Sequence, residues 1–148
     1  MTITLESIKA EQTKLAQMIA KFEANAPALF VVPEVSIELQ PGERYAGLIL
    51  GDDGKPSHHL VLLPGDVEAT WEDAKKLAAK AGGELPTRRE QSLLFANLKG
   101  EFQADWYWSG EQSSESDAFI QGFDNGYQYY SSYERIQRRC RFVRRSII

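Results

Sequence analysis

One cysteine, two histidines and two methionines in 148 residues leave little material for sulfur or imidazole chemistry. A lone Cys140 cannot close an internal disulfide and cannot furnish a cysteine-based zinc site. No stretch approaches the roughly 20 apolar residues that a membrane-spanning helix needs, so no membrane insertion is expected. The opening MTITLESIKAEQ is interrupted by acids and amides and lacks the apolar core of a secretory signal, so synthesis in the cytoplasm is expected. A G-x-S-x-G nucleophile elbow, a P-loop and a G-x-G-x-x-G turn are also missing. No catalytic residue, metal or cofactor is expected.

What is present suits one compact domain with its own core plus an appendage: 43% of the residues are apolar or aromatic and 26% are charged, for a formal net charge of -4. The charge is unevenly spread. Residues 66–133 hold twelve acids against six bases, whereas residues 134–148 hold Arg135, Arg138, Arg139, Arg141, Arg144 and Arg145 against Glu134. A basic patch is one mark of a nucleic-acid site, but the acidic remainder would repel phosphate, and no nucleic-acid partner is expected. The alternative is a closing strand from Ile136 to Val143, with Ile136, Arg138, Cys140 and Phe142 on one face and its arginines paired to the preceding acids.

Near the start, Leu5, Ile8, Gln12, Leu15, Ile19 and Phe22 recur at alternating spacings of three and four, the a and d seam of a coiled coil. Thr2 or Thr4 can cap this helix and Pro27 stops it. A helix lying on its own domain generally shows a broader apolar stripe, so residues 1–26 are expected to self-associate, most simply as a homotrimer. Packing against the chain's own domain is the competing reading. Residues 27–43 form a β-rich linker, and 44–148 the globular domain.

Ala28–Val32, Val35–Leu39, Tyr45–Leu50 and His59–Leu63 are rich in β-branched and aliphatic residues and are punctuated by Pro33, Pro41-Gly42 and GDDG, so all four are expected to be strands. The last two are expected to form a hairpin around GDDGKPSH. Thr70 with Asp73 and Thr87 with Glu90 have the spacing of helix-starting capping boxes. In the first helix Trp71, Ala74, Leu77, Ala78 and Ala81 are expected to form one apolar side before Gly82-Gly83 ends it; in the second Leu93, Leu94 and Leu98 are expected to supply the buried face before Gly100. From Asp105 to Tyr133 the texture changes to DWYWSGEQSSESDAFIQGFDNGYQYYSSY, which fits short strands and exposed loops.

The succession of a strand pair, WEDAKKLAAKAGGELPTRREQSLL, WYWSGEQ, FDNGYQYY and RRCRFVRR resembles the C-type-lectin-like domain of the formylglycine-generating-enzyme type, in its phage and prophage branch. The likeness spans residues 44–148 and lies in the order of its parts: Trp71, Gly82-Gly83, Leu85-Pro86-Thr87, Tyr107-Trp108-Ser109, Asn125-Gly126 and Cys140–Arg145. It implies an α+β C-type-lectin-like fold with two helices and short antiparallel strands, preceded here by the coiled-coil helix. It also implies a virion protein. The enzymes of that family hold copper with two cysteines, which one Cys140 cannot reproduce. The calcium-binding lectins use Glu-Pro-Asn or Gln-Pro-Asp with Trp-Asn-Asp, and none of these occurs in the last third of the chain. Glu115, Asp117, Asp124 and Asn125 lack a recognisable metal spacing. His58 and His59, beside Asp52 and Asp53, are adjacent in a strand and so point to opposite faces.

The positive signal is the Tyr, Ser, Asp, Asn and Gly content of residues 106–133, the mixture from which adaptable binding surfaces are made. In phage relatives similar to the major tropism determinants the matching region contacts the receptor. The expected contact face is Tyr107, Gln112, Ser113, Ser114, Glu115, Asp124, Tyr127, Tyr129, Tyr130 and Tyr133, with Trp108, Phe119 and Phe123 in the core. Its partner is expected to be a host-surface receptor, protein or glycan, or alternatively another virion protein for which the chain is a capsid, tail or baseplate component.

Overall fold

The computed structural model describes residues 3–148, which divide into one unit ending at Val32 and another running from Pro33 to Ile148. In the first, Thr4 begins helix α1 (Leu5–Asn25). Its hydroxyl accepts from the Ser7 N–H at 3.1 Å, and the Ser7 hydroxyl accepts from the Thr4 N–H at 3.2 Å, a reciprocal cap. Thr2, the other expected cap, lies outside the described residues. No residue of α1 is buried, and the apolar members of its seam, Leu5, Ile8, Leu15, Ile19 and Phe22, are between 46% and 75% exposed.

Neither Ala28–Val32 nor Val35–Leu39 is a strand, contrary to expectation. β-branched residues favour extended backbone, but a strand needs a neighbour to bond. Among the described residues no backbone-to-backbone hydrogen bond involves residues 27–39. The second run is held by side chains instead: Arg144 donates to the Glu38 carbonyl at 2.8 Å, and the Gln40 N–H donates to Glu43 at 2.8 Å.

In the second unit, β1 (Arg44–Leu50) and β2 (Pro56–Leu62) form the expected hairpin around a turn, 51–55, that is shorter than predicted. The Gly51 N–H donates to the Lys55 carbonyl at 2.8 Å, which closes the turn early and lets pairing resume at Pro56. β8 (Val143–Ile147) joins β2 antiparallel, completing a three-stranded sheet ordered β1-β2-β8. A five-stranded sheet runs β3 (Val67–Ala69), β7 (Arg138–Cys140), β4 (Trp106–Gln112), β5 (Asp117–Gly122) and β6 (Gln128–Ser132). Its pairs are antiparallel except that β4 and β7 meet in parallel at Tyr107 and Arg139.

The two remaining helices are α2 (Trp71–Lys80) and α3 (Arg88–Leu98). Thr70 accepts from the Asp73 N–H, giving half of a capping box, whereas Thr87 and Glu90 make both halves. α2 ends as its Gly-Gly pair predicts: Gly82, at φ +80°, donates to Ala79, and Gly83 donates to Ala78. A Cβ on Gly83 would lie 2.4 Å from the Val143 carbonyl oxygen, so the chain can cross here only as glycine. Leu77 and Ala81 remain exposed, while Trp71, Ala74 and Ala78 are buried.

Alternation along β4 separates the core into two. Trp108 joins Ala118, Ile120 and Cys140 against Trp71, Ala74 and Ala78 of α2. Tyr107, pointing the other way, joins Phe123 and Val143 against Leu94 of α3 and Leu60 and Leu62 of β2. The molecule is thus mixed α and β, with α2 and α3 serving opposite faces of the five-stranded sheet.

The expected closing strand Ile136–Val143 is in fact two strands in two sheets, with Arg141 and Phe142 between them. Arg141 is buried and donates to the Leu63 carbonyl at 2.9 Å and to the Glu101 carbonyl, while the Leu63 N–H donates to the Phe142 carbonyl at 2.8 Å. These bonds draw the chain off one sheet and onto the other. Among the arginines, Arg139 pairs with Asp66, Glu68 and Asp105, Arg144 with Glu43, and Arg145 with Glu84 and Glu90, whereas Arg138 donates to the Ser131 hydroxyl.

Candidate functional site

β6 is the outer strand of the five-stranded sheet, so one of its edges is unpaired among the described residues. The turn that delivers it is Asp124–Tyr127. Asp124 accepts from the Asn125 N–H at 2.9 Å, Asn125 accepts from the Tyr127 N–H at 2.9 Å, and Gly126 sits at φ +79° with no room for a Cβ beside Phe95. The Gly122 N–H then donates to the Tyr127 carbonyl at 2.8 Å and sets the register. Phe119 lies opposite Tyr130, and Ile120 opposite Tyr129.

Tyr127, Tyr129 and Tyr130 are each more than half exposed, and the rings of the last two stack at 4.9 Å, 6° from parallel. At one end of β6 lie Asp124 and Tyr127. At the other, the Ser113 N–H donates to the Asp117 carbonyl at 2.8 Å and Ser114 donates to the Asp117 carboxylate at 3.1 Å, fixing the β4–β5 turn. Gln112 donates to the Tyr133 hydroxyl at 3.2 Å, and Tyr133 in turn donates to the Glu115 carbonyl. The expected residues are therefore not one cluster. Gln112, Ser113, Ser114, Glu115 and Tyr133 gather at one end of a strand roughly 17–20 Å long, with Asp124 and Tyr127 at the other. Tyr129 and Tyr130 lie between them.

Two assignments need correction. Tyr107 is 1% exposed and cannot present itself to a ligand. Its ring packs edge-on to Phe102 and Phe123, and its hydroxyl donates to Asp66 while accepting from the Gln103 N–H at 2.8 Å. Burial, and then the Asp66 hydrogen bond, hold its phenol well above the ordinary tyrosine range. Phe119, assigned to the core, is only half-buried, with the Arg88 guanidinium 3.9 Å over its ring. Tyr133 has a double role, since its ring also packs on Trp71 at 4.9 Å.

Arg88 belongs beside this edge although nothing local in the sequence marks it. It starts α3, and only the tertiary fold sets it over Phe119, next to Tyr130 in the facing register. The Gln128 side chain donates to the Arg88 carbonyl at 2.8 Å and to Gln121 at 2.8 Å, tying β6 to the helix. Rings, hydroxyls, amides and one guanidinium thus line the edge, a set suited to stacking and hydrogen bonding.

Both histidines are engaged in the fold. His58 bonds the buried Glu90 at 2.7 Å, and on the other face of β2 His59 bonds the Tyr45 hydroxyl at 2.7 Å. Burial pushes the Cys140 thiol up to about 12, so it is protonated at neutral pH. Among the described residues no group of three His, Cys, Asp or Glu side chains is placed to hold a metal ion. No family model matches the chain, and no curated protein matches it in sequence.

Proposed function

We propose that the chain is a non-enzymatic binding protein of a phage particle, a C-type-lectin-like domain carried on a self-associating helix, which offers its β6 edge to a host-surface receptor of protein or glycan. The observation that carries this reading is the row Tyr127, Tyr129 and Tyr130, exposed on an outer strand whose backbone is fixed by the sheet behind it. Large apolar rings left in water on a rigid support are costly unless a partner covers them, and tyrosine binds with little entropy to lose. The order of elements also supports the lectin-like reading: hairpin, α2, Gly-Gly turn, Leu-Pro-Thr step, α3, the Tyr-Trp-Ser strand, the Asn-Gly turn and an Arg-rich close.

The test is adhesion of the fluorescently labelled full chain to intact bacterial cells. Replacing Tyr127, Tyr129 and Tyr130 together by alanine is expected to abolish adhesion and to leave the thermal unfolding midpoint within a few degrees, since exposed substitutions usually cost under about 0.5 kcal/mol each. Undiminished adhesion by the triple variant removes the edge from the reading. Adhesion by neither protein, with high-copy recovery in purified particles, would mark a structural virion component.

A further inference from the structure

Leu29, Phe30, Val31 and Val32 follow α1 after Ala26-Pro27-Ala28 and are 92%, 58%, 69% and 51% exposed. Four consecutive apolar residues in water are an error of patterning unless something covers them. Their composition asks for a strand, yet their backbone makes no hydrogen bond to any other backbone group among the described residues. We infer that Ala28–Val32 is an inter-subunit segment, which associates with the same segment of neighbouring copies and continues the α1 seam past the end of the helix.

The inference rests on α1 self-associating in parallel, and chain continuity then does most of the work. Packed helices lie about 8–10 Å apart, so parallel copies of α1 end together at Asn25. Leu29 is only four residues farther on, at most roughly 14 Å of extended chain. The identical segments therefore emerge side by side, within reach of one another. Pro27 keeps the segment out of the helix and its neighbour in extended backbone, the conformation that can pair.

The segment also enlarges what association can cover: the five apolar side chains of the α1 seam are 46% to 75% exposed and the four of this segment 51% to 92%, so the segment nearly doubles the apolar surface available. A second copy is favoured over a foreign partner because only self-association presents an equal and opposite apolar row at the same height on every chain.

Single cysteines in the full-length protein test this, because buried Cys140 gives no background. Val31→Cys, Ile8→Cys and, as an exposed control in the β1–β2 turn, Asp53→Cys are oxidised mildly at micromolar protein, and linked dimers are read on a non-reducing gel. Both Val31→Cys and Ile8→Cys are expected to link at least about a hundredfold faster than Asp53→Cys, because millimolar effective concentration replaces micromolar collision. Rapid linkage at Ile8→Cys with only the control rate at Val31→Cys overturns the inference and leaves the helix seam intact. Control rates at both positions overturn the inference and the oligomer together.

Discussion

Glu43 illustrates how single side chains hold this fold. It accepts from the Arg144 Nε at 2.8 Å and Nη2 at 2.9 Å and from the Gln40 N–H at 2.8 Å, joining the segment ahead of β1 to the last strand. The Arg144 hydrogen bonds hold its carboxyl below the ordinary value of 4.5 against the opposing effect of burial. A folded-state value below the unfolded one means that the carboxylate stabilises the native state above about pH 4.5, and that this contribution fades as pH falls through the folded value. Glu43→Gln is therefore expected to lower the unfolding midpoint near neutral pH and to approach wild type as pH falls below about 4.5 through the folded value, as followed by circular dichroism. A midpoint difference that is constant with pH would show that the carboxylate charge is not the source. Inside the molecule one buried carboxylate, Glu90, bonds His58 and Arg145 and also completes the Thr87 cap.

Among elements, the helix starts were legible because a cap is written in residues three apart and needs no distant partner. α3 has both halves of its box and α2 only one. Thr87→Ala is expected to cost about 1–2 kcal/mol and Thr70→Ala about half as much, measured as the difference in unfolding free energy in urea. Equal costs would show that the longer Thr70 cap bond, 3.4 Å against 3.1 Å at Thr87, is no weaker than its counterpart. The strands were legible only where the partner was local. Tyr45–Leu50 and His59–Leu63 face each other across one turn and were found. Ala28–Val32 and Val35–Leu39 carry the same β propensity but, among the described residues, no backbone hydrogen bond to a strand, a fact that resides in the three-dimensional arrangement. The break at Arg141 was invisible for a related reason: its partners Leu63 and Glu101 lie far away in sequence. The candidate edge was half legible. Composition located Tyr127, Tyr129 and Tyr130 on it, yet it also admitted Tyr107, because alternation says which neighbours part company and not which of them faces inward.

For the whole molecule the decisive quantity is how many edges are presented at once. Three heptads make a marginal coiled coil by themselves, so full-length protein is expected by light scattering to run at a multiple of 16.7 kDa that falls on dilution. Leu15→Asp with Ile19→Asp introduces charge into the middle of the seam and is expected to give 16.7 kDa at every concentration. Neither residue is buried, so unfolding of residues 33–148 should be unchanged. Adhesion then separates affinity from avidity. Linking sites raises apparent binding by about 10²–10⁴ when the geometry permits simultaneous engagement. A monomeric variant with intact Tyr127, Tyr129 and Tyr130 should therefore lose adhesion by a factor in that range, through faster dissociation and with little change in association. If the monomer adheres as tightly as the oligomer, one edge alone suffices and the helix serves assembly, not attachment.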